Sequence, residues 1–165
     1  MSAALIDPTK FRDALGHYAS GITIVAAMVD GSPVGFTCQS FYSVSLDPPL
    51  VSFSVMKRSG SWPRIRAVEN FTINLLAWDQ LHLSRTFATP SCDRWANVYW
   101  SMSARGGPVI DGSLLWLDCD TYAEHEAGDH WVVICRVGSL SHASDASDRS
   151  PLLYYKGRYR QLAAP

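Results

Sequence analysis

Residues 35–61 read GFTCQSFYSVSLDPPLVSFSVMKRSGS, and this stretch decides the fold because it holds two strand patterns separated by a turn signal. The first pattern, residues 34–42, is apolar except for Thr37, Gln39 and Ser40, whose side chains can donate or accept hydrogen bonds. The pattern predicts a strand that presents a polar strip inside an apolar wall.

A proline turn separates this pattern from a second predicted strand. Asp47 precedes two prolines, each of which lacks an N–H and pushes the residue before it towards extended geometry. Residues 50–56 then alternate, with Val51, Phe53 and Val55 on one face. The sequence therefore predicts a strand, a turn and a second strand with one apolar face.

A cationic loop follows the second strand. Lys57, Arg58 and Ser59 lie directly before a helix signal at Ser61 and Trp62. A helix N-terminus offers unpaired N–H groups and a positive dipole end, which suits a phosphate. A solvated turn is the alternative for a Lys-Arg pair in a Ser-Gly loop, and the position at a strand end before a helix favours the phosphate.

Composition limits the classes of function. A chain of 165 residues is long enough for one domain that buries roughly 70% of its unfolded surface. The net charge of −1 gives no reason to expect nucleic acid or an anionic membrane as a partner. No apolar run approaches the roughly 20 residues that span a bilayer, and the first residues lack a signal-peptide layout, so we expect a cytoplasmic protein.

The four cysteines are widely spaced and form no CxxC pair, which argues against a structural zinc site or a redox dithiol. The three that lie within strand-like runs are expected to be small buried hydrophobes, and Cys38, in the polar strip, is the one that could differ. Histidine and acidic side chains within residues 125–130 alternate across a strand end, and no metal is expected there. The cysteines are Cys38, Cys92, Cys119 and Cys135.

The remaining chain alternates short helices and strands. Asp7 and Pro8 predict a helix start, and apolar residues at positions 11, 14, 15 and 18 predict a face that packs on the protein. Asp30 and Gly31 predict a hairpin turn. Strands are predicted at residues 22–29, 71–76, 114–124 and 131–141, short helices at 62–69 and 80–87, and an exposed connection at 142–149.

About six strands with short helices between them predict a small β-barrel or a β-sandwich with appended helices. Residues 89–108 are irregular and contain Trp95, Tyr99 and Trp100, which is typical of a lid or a dimer contact. Neither the GxGxxG nor the GxxxxGK[ST] pattern occurs, so a nicotinamide nucleotide would bind outside a Rossmann crevice.

Three blocks follow one another in a fixed order: GFTCQSF at residues 35–41, SLDPPLV at 45–51 and GDH at 128–130. Over residues 11–159 the chain resembles the short-chain flavin reductases, which supply reduced flavin to two-component monooxygenases. The likeness is greatest to reductases that serve hydroxylases of phenolic or steroid-derived aromatic rings. The resemblance implies a mainly β fold with flanking helices, namely a split β-barrel of Greek-key type, and a homodimer with flavin sites near the subunit interface.

The same resemblance implies a flavin site. Residues of the polar strip would bind the edge of the isoalloxazine ring, and the cationic loop would bind the phosphate. Strand hydroxyls that satisfy neighbouring backbone groups are the alternative for the strip, and a structural or interface Trp is the alternative for Trp95. The implied FMN- or FAD-binding residues are Thr37, Cys38, Gln39, Ser40, Phe41, Ser43, Val44, Ser45, Lys57, Arg58, Ser59, Trp62, Phe87, Arg94 and Trp95.

The GDH block implies a site for NADH or NADPH. Gly128 permits a tight turn, Asp129 can hold one imidazole nitrogen, and the other nitrogen of His130 would face the nicotinamide carboxamide or the flavin. The role of His130 is positioning and electrostatic, because hydride transfer needs no obligatory protein acid. The implied nicotinamide-binding residues are His130, Tyr155, Lys156, Gly157 and Tyr159, and a packed terminal strand is the alternative for the last four.

The sequence thus predicts a single flavin reductase-like domain, residues 1–165, that transfers hydride from NAD(P)H to FMN or FAD and supplies a partner monooxygenase. A noncatalytic flavin-binding or redox-sensing module is one alternative. An oxidase related to pyridoxamine-phosphate oxidases is another. The choice between the two flavins, the choice between the two nucleotides and the identity of the oxygenase stay open.

Overall fold

One antiparallel sheet of seven strands organises this computed structural model, which describes residues 6–90 and 93–162. Within those residues the elements are α1 (Pro8–Leu15), β1 (Ser20–Gly21), β2 (Thr23–Val29), β3 (Ser32–Cys38), β4 (Tyr42–Leu46), β5 (Pro49–Met56), α2 (Trp62–Ile65), β6 (Phe71–Leu75), α3 (Leu81–Ala88), β7 (Trp100–Met102), β8 (Pro108–Ile110), β9 (Leu115–Ala127), β10 (His130–His142), β11 (Leu153–Tyr155) and β12 (Arg158–Arg160). The main sheet has the order β3-β2-β6-β9-β10-β5-β4, and β1-β11-β12 and β7-β8 form two smaller sheets.

The predicted mainly β fold with flanking helices is confirmed, and the main sheet is not closed into a barrel. β3 and β4 are its two edge strands. At the open side, the Ser54 N–H of β5 donates to Ser40 Oγ over 2.7 Å, and Ser40 Oγ donates to the Ser54 carbonyl over 3.0 Å. One side chain therefore links the chain just after β3 to β5 where a strand ladder would otherwise run.

The polar stretch contains two strands where one was predicted. β3 ends at Cys38, and β4 starts at Tyr42, which pairs with Ser52 of β5. The apolar pattern of residues 34–42 predicted one strand because periodicity shows extended backbone and carries no signal of which partner each half pairs with. The predicted hairpin between β2 and β3 is confirmed.

The predicted apolar face of β5 is confirmed as part of the core. Val51, Phe53 and Val55 are all buried. Phe53 makes edge-on contacts with Trp62, with ring centroids 5.3 Å apart, and with Phe71 at 6.2 Å. Three aromatic rings thus fix α2 and β6 against β5, and this packing holds the cationic loop in place.

Buried, unpaired thiols are found at three of the four cysteine positions, as predicted. Cys38, Cys119 and Cys135 are free and buried. Burial raises the pKa of the Cys38 thiol and raises that of Cys119 to about 12. Cys92 lies outside the described residues. The three described thiols are therefore poor nucleophiles at neutral pH.

Helix α1 starts as predicted but packs differently. The Thr9 N–H donates to Asp7 Oδ1 over 2.8 Å, which caps the helix at Pro8. The prediction that its apolar face packs on the protein is wrong, since no residue of α1 is buried and Leu15 is 57% exposed. Periodicity shows that a helix face is apolar but not what covers it.

Other elements differ from the sequence prediction in length. α2 ends at Ile65 rather than near position 69, and the irregular region 89–108 contains β7, which pairs with β8. Trp95 packs edge-on against Phe87, with ring centroids 4.9 Å apart. Among residues 6–90 and 93–162, no helix has the length and apolar character required to cross a membrane.

Candidate active-site cleft

A cleft with a cavity volume of about 1480 Å³ opens between β3, the end of β5, the loop that leads into α2 and the segment after α3. It gathers residues that are up to 115 positions apart in the sequence, from position 15 to position 130. Of the predicted site residues, the cleft is lined by Thr37, Cys38, Gln39, Ser40, Arg58, Ser59, Phe87, Arg94, Trp95 and His130.

The polar strip offers a ligand in the cleft main-chain N–H and C=O groups rather than hydroxyl groups, because two of its hydroxyls already bond to the protein. Thr37 Oγ1 donates to the Ser84 carbonyl of α3 over 2.7 Å, and the Ser40 hydroxyl is used by β5. The alternative reading of the strip, that hydroxyls satisfy backbone groups, therefore describes these two side chains. Gln39 is exposed and its amide makes no hydrogen bond within the described residues. Because β3 is an edge strand, its outer N–H and C=O groups face the cleft.

Gly35 is required by a close approach of α3 to β3. A Cβ at this position would lie 2.9 Å from Phe87 Cε1 and 3.1 Å from the Val25 carbonyl oxygen. Both distances are too short for a side chain. The glycine therefore lets the Phe87 ring form the cleft wall directly behind the strand.

Arg94 holds the wall of the cleft together. Its Nη1 donates to the Gly35 carbonyl over 2.9 Å and to Ser61 Oγ over 2.8 Å, and its Nε donates to the Thr89 carbonyl over 3.1 Å. A guanidinium that makes three such bonds is committed to the protein. Arg94 therefore lines the cleft as a structural clamp between β3, the cationic loop and the segment after α3.

The two cations of the loop point in different directions. Arg58 lines the cleft and has no ion-pair partner within the described residues. The Lys57 ammonium instead lies 2.9 Å from Glu126 and 5.5 Å from the centroid of the Trp131 ring. Lys57 was predicted to bind phosphate, and this placement corrects that prediction, because Glu126 of β9 holds the ammonium outside the cleft.

The helix that follows the loop is a single turn, which limits its contribution to a phosphate site. α2 has four residues, and the Trp62 N–H at its start donates to Ser59 Oγ over 3.2 Å. A macrodipole needs several aligned peptide units. The loop therefore relies on Arg58 for its charge.

The GDH turn has the predicted geometry. Gly128 has φ +61° and lies in the turn between β9 and β10, and His130 Nδ1 lies 2.7 Å from Asp129 Oδ1. The hydrogen bond from His130, followed by the positive charges of His130 and Arg58, lowers the pKa of the Asp129 carboxyl. An ionised Asp129 accepts the Nδ1 proton, which leaves Nε2 of His130 for a ligand.

A main-chain hydrogen bond joins this turn to the cationic loop. The Lys57 N–H donates to the Asp129 carbonyl over 2.9 Å, and His130 is paired in register with Met56. Arg58 and His130 are therefore fixed on one rigid strand pair, at one end of the cleft.

Several predicted flavin-binding residues lie outside the cleft. Trp62 is 1% exposed, and its Nε1 donates to Glu124 Oε1 over 2.6 Å, so it is a core residue. Its position directly after the loop suggested a ligand contact, but the face of α2 that it occupies packs on β5. Four further predicted flavin-binding residues lie on or next to the edge strand β4 and do not line the cleft, namely Phe41, Ser43, Val44 and Ser45.

The C-terminal hairpin, β11 and β12, packs behind the cleft wall rather than in it. Tyr159 OH and Ser84 Oγ are 3.0 Å apart, and the Ser84 carbonyl accepts the hydroxyl of Thr37. This arrangement is the packed terminal strand considered above. The predicted nicotinamide-binding residues that do not line the cleft are Tyr155, Lys156, Gly157 and Tyr159.

Sequence reasoning missed Arg64, which also lines the cleft and has no ion-pair partner in the described chain. A signal was available, because Trp62 and Ile65 are apolar at i and i+3 and so place Arg64 on the solvent side of α2. Tyr18, after α1, was predicted to pack and instead lines the cleft with 77% of its surface exposed. In residues 6–90 and 93–162 no three His, Cys, Asp or Glu side chains come together as a metal site.

Comparisons with known proteins identify the family of the chain. The family model described as "Flavin reductase like domain" matches residues 15–163. The chain is 42% identical over 159 residues to the reductase subunit HsaB of a flavin-dependent monooxygenase from Rhodococcus jostii (strain RHA1), covering 96% of this chain and 80% of that protein.

Two solved structures share the fold. Nitrilotriacetate monooxygenase component B from Mycobacterium thermoresistibile has a TM-score of 0.92 at 42% identity, covering 96% of this chain and 88% of that one. The NADH:FAD oxidoreductase SgcE6 from Streptomyces globisporus C-1027, in complex with NAD and FAD fragments, has a TM-score of 0.88 at 32% identity, covering 98% of both chains. Because the family model and the relative both span nearly the whole chain, this protein belongs to the flavin reductase family, as its sequence blocks predicted.

Proposed function

We propose that this protein is an NAD(P)H:flavin oxidoreductase that reduces FMN or FAD and supplies the reduced flavin to a partner monooxygenase. The observation that carries the proposal is one cleft in which an edge strand, the free Arg58 and the Asp129-held His130 converge, in a chain of the flavin reductase family. Relatives named as reductase subunits of monooxygenases support the partner.

The residues present fit a flavin. The outer main-chain groups of β3 and the unpaired Gln39 amide offer donors and acceptors to the edge of a flat ring, and Arg58 with the Ser59 loop offers a charge to a phosphate. When bound, flavin supplies the ring nitrogen that accepts the hydride delivered by the reduced nicotinamide.

The size of the cleft supports two ligands bound together. Ligand pockets generally measure about 300–1,000 Å³, and this cleft has about 1480 Å³. The structure of the relative SgcE6 holds both NAD and FAD fragments. Phe87 and Trp95 provide an apolar wall that excludes water from the reacting faces.

His130 positions rather than transfers protons. Its Nδ1 is held by Asp129, and its Nε2 is available to a carboxamide or a ring carbonyl at the edge of the cleft. A hydride moves between the two ligands without a protein acid, so this nitrogen orients the nicotinamide and favours the charge that develops.

A flavin held mainly by main-chain groups and one exposed cation leaves readily. Arg58 is exposed, and ion pairs at exposed sites contribute little because water and salt screen them. Moderate affinity suits a reductase whose product has to reach a separate oxygenase. We propose an aromatic-ring hydroxylase as that oxygenase and the cytoplasm as the location.

We further propose that the protein is a homodimer. The apolar face of α1 and the edge strand β4, whose Tyr42, Val44 and Leu46 are exposed, support this assembly because a second subunit would cover them. Light scattering of the purified protein is expected to give about twice the chain mass of 18.2 kDa. A value of one chain mass would contradict the homodimer.

A steady-state assay that crosses FMN and FAD with NADH and NADPH tests the proposed function. We expect nucleotide oxidation only when a flavin is present, with bleaching of the flavin absorbance under anaerobic conditions. A protein that binds flavin without bleaching would be a noncatalytic module, and no flavin-dependent turnover with either nucleotide would refute the proposal.

A further inference from the structure

The two free arginines of the cleft come from different elements, the loop after β5 and helix α2. Arg58 is close enough to Asp129 to lower its pKa, so it lies at the His130 end. Arg64 follows on α2, where its N–H donates to the Ser61 carbonyl over 3.1 Å, and Ser61 Oγ in turn accepts from the Arg94 clamp. The main chain of Arg64 is therefore tied to Ser61, the same residue that the Arg94 clamp holds.

The cleft concentrates positive charge although the chain as a whole has a net charge of −1. Three arginines line it, Arg58, Arg64 and Arg94. The acidic residue among its lining side chains is Asp93, whose Oδ1 accepts the main-chain N–H of Trp95 over 3.1 Å. An excess of cations along a concave surface attracts anionic ligands.

One phosphate does not account for both free cations. The phosphate next to the riboflavin unit is common to FMN and FAD, and Arg58 in the loop beside His130 is placed to bind it. Arg64 lies on α2, three residues beyond Ser61, and it forms no ion pair within the described residues. A cleft larger than a single-ligand pocket leaves room for a further anionic group there.

We propose that Arg64 binds a second phosphate, one carried by the adenosine half of a dinucleotide, and that it thereby distinguishes dinucleotides from FMN. The inference rests on the proposed function. FAD and the nicotinamide nucleotides both have such a phosphate. A guanidinium suits it because its fork of donors matches phosphate oxygens.

The experiment measures KM values of Arg64→Gln for FMN, for FAD, for NADH and for NADPH, each with the other substrate saturating. We expect about a fivefold to tenfold rise for the ligand whose adenosine half reaches Arg64, and an unchanged KM for FMN. The rise should shrink at about 0.5 M salt, because an exposed charge is screened. Arg64→Lys is expected to restore part of the affinity.

Arg160→Gln is the matched control. Arg160 is an exposed arginine on β12 without an ion-pair partner in the described chain, and it lies outside the cleft. The control removes the same charge. Equal changes of KM in both variants would show that the effect comes from the net charge of the protein, and would overturn the inference. Thermal unfolding of each variant shows that the fold is intact.

Each outcome is decisive. A higher KM for FAD alone assigns the phosphate to FAD, and a higher KM for NADH or NADPH with FMN as acceptor assigns it to the nucleotide. Both results support the inference. Equal rises for FMN and FAD would place Arg64 on the shared phosphate and overturn it, as would no change in any KM. Failure of the proposed function is distinguishable, since the unmodified protein would then lack flavin-dependent turnover.

Discussion

The two sides of the segment that runs from the end of β5 through α2 use their charges in opposite ways. On the outer side Lys57 pairs with Glu126 and Arg66 pairs with Glu124, and both cations lie about 5.5 Å from the ring of Trp131. On the cleft side Arg58 and Arg64 have no such partners within the described residues.

This difference separates cations that stabilise the fold from cations that are available to a ligand. An arginine already held by carboxylates would have to break those contacts before it could bind phosphate, whereas an unpaired one loses only water. Residue type and loop position are alike on the two sides. Only the presence or absence of a carboxylate partner shows which cations are available to a ligand in the cleft. Variants of residues on the two sides test this difference.

The largest expected effect concerns Trp62, the buried core residue of α2 that packs on β5 and donates to Glu124. Trp62→Ala removes a fully buried indole that packs on Phe53 and Phe71, so we expect a loss of about 3–5 kcal/mol in the free energy of unfolding, measured by urea denaturation. Trp62→Phe is the control that keeps an aromatic ring. Below its melting temperature it should retain the KM for flavin, and a large increase would show that Trp62 contacts the ligand.

Arg58→Gln is expected to raise the KM for both FMN and FAD by about threefold to tenfold, because a charge-assisted contact to the phosphate is lost at an exposed site that water screens. The melting temperature should hardly change, since the exposed Arg58 side chain forms no salt bridge or hydrogen bond in the described part of the protein, and its charge acts only on the exposed Asp129. Steady-state kinetics with saturating NADH give the result. An unchanged flavin KM would show that the cleft side does not hold the phosphate.

Asp129→Asn should lower kcat/KM for the nicotinamide nucleotide by about twofold to tenfold, because the neutral amide is a weaker acceptor for His130 Nδ1 than the carboxylate and can present its NH2 group to the imidazole instead. The pKa of Asp129 is lowered from its ordinary value of 3.8, so its stabilising effect is present above that value and lost only as the pH falls through the lower folded value. The carboxylate thus stays ionised from about pH 5 to pH 8.

The deficit of Asp129→Asn is accordingly expected at every pH in that range. Initial rates in a series of buffers of constant ionic strength measure it. A variant with unchanged activity throughout would mean that the orientation of His130 does not depend on Asp129.

The smallest effect is expected for Lys57→Gln. Its ion pair with Glu126 is on the surface, so the free energy of unfolding should fall by about 1 kcal/mol or less. The KM for flavin should stay within about twofold of the unmodified value, in contrast to Arg58→Gln. Equal KM increases in the two variants would erase the difference between the sides.

The sequence predicts those parts of the site that depend on local geometry. The GDH turn is such a part, because a glycine with positive φ, an acid and a histidine are neighbours in the chain and their hydrogen bond needs no distant partner. The apolar face of β5 is another, since alternation alone places Val51, Phe53 and Val55 on one side.

The parts that depend on distant contacts were not predictable in the same way. Lys57 and Arg58 are adjacent and chemically alike, and only the position of Glu126 on β9, which lies far along the sequence, decides which of them faces outwards. Residues 34–42 likewise look continuous, although their two halves pair with β2 and β5. Pairing partners over long sequence separations are set by tertiary packing, which overrides local pattern.

The link between Ser40 and Ser54 has a mechanical consequence. One hydroxyl imitates both hydrogen bonds of a strand pair, so the wall of the cleft is fastened at this point by two contacts instead of a continuous ladder. Parting these contacts costs a few kcal/mol at most, far less than separating two strands. The protein therefore has a weak seam beside the edge strand, which side-chain hydrogen bonds close in place of a strand ladder.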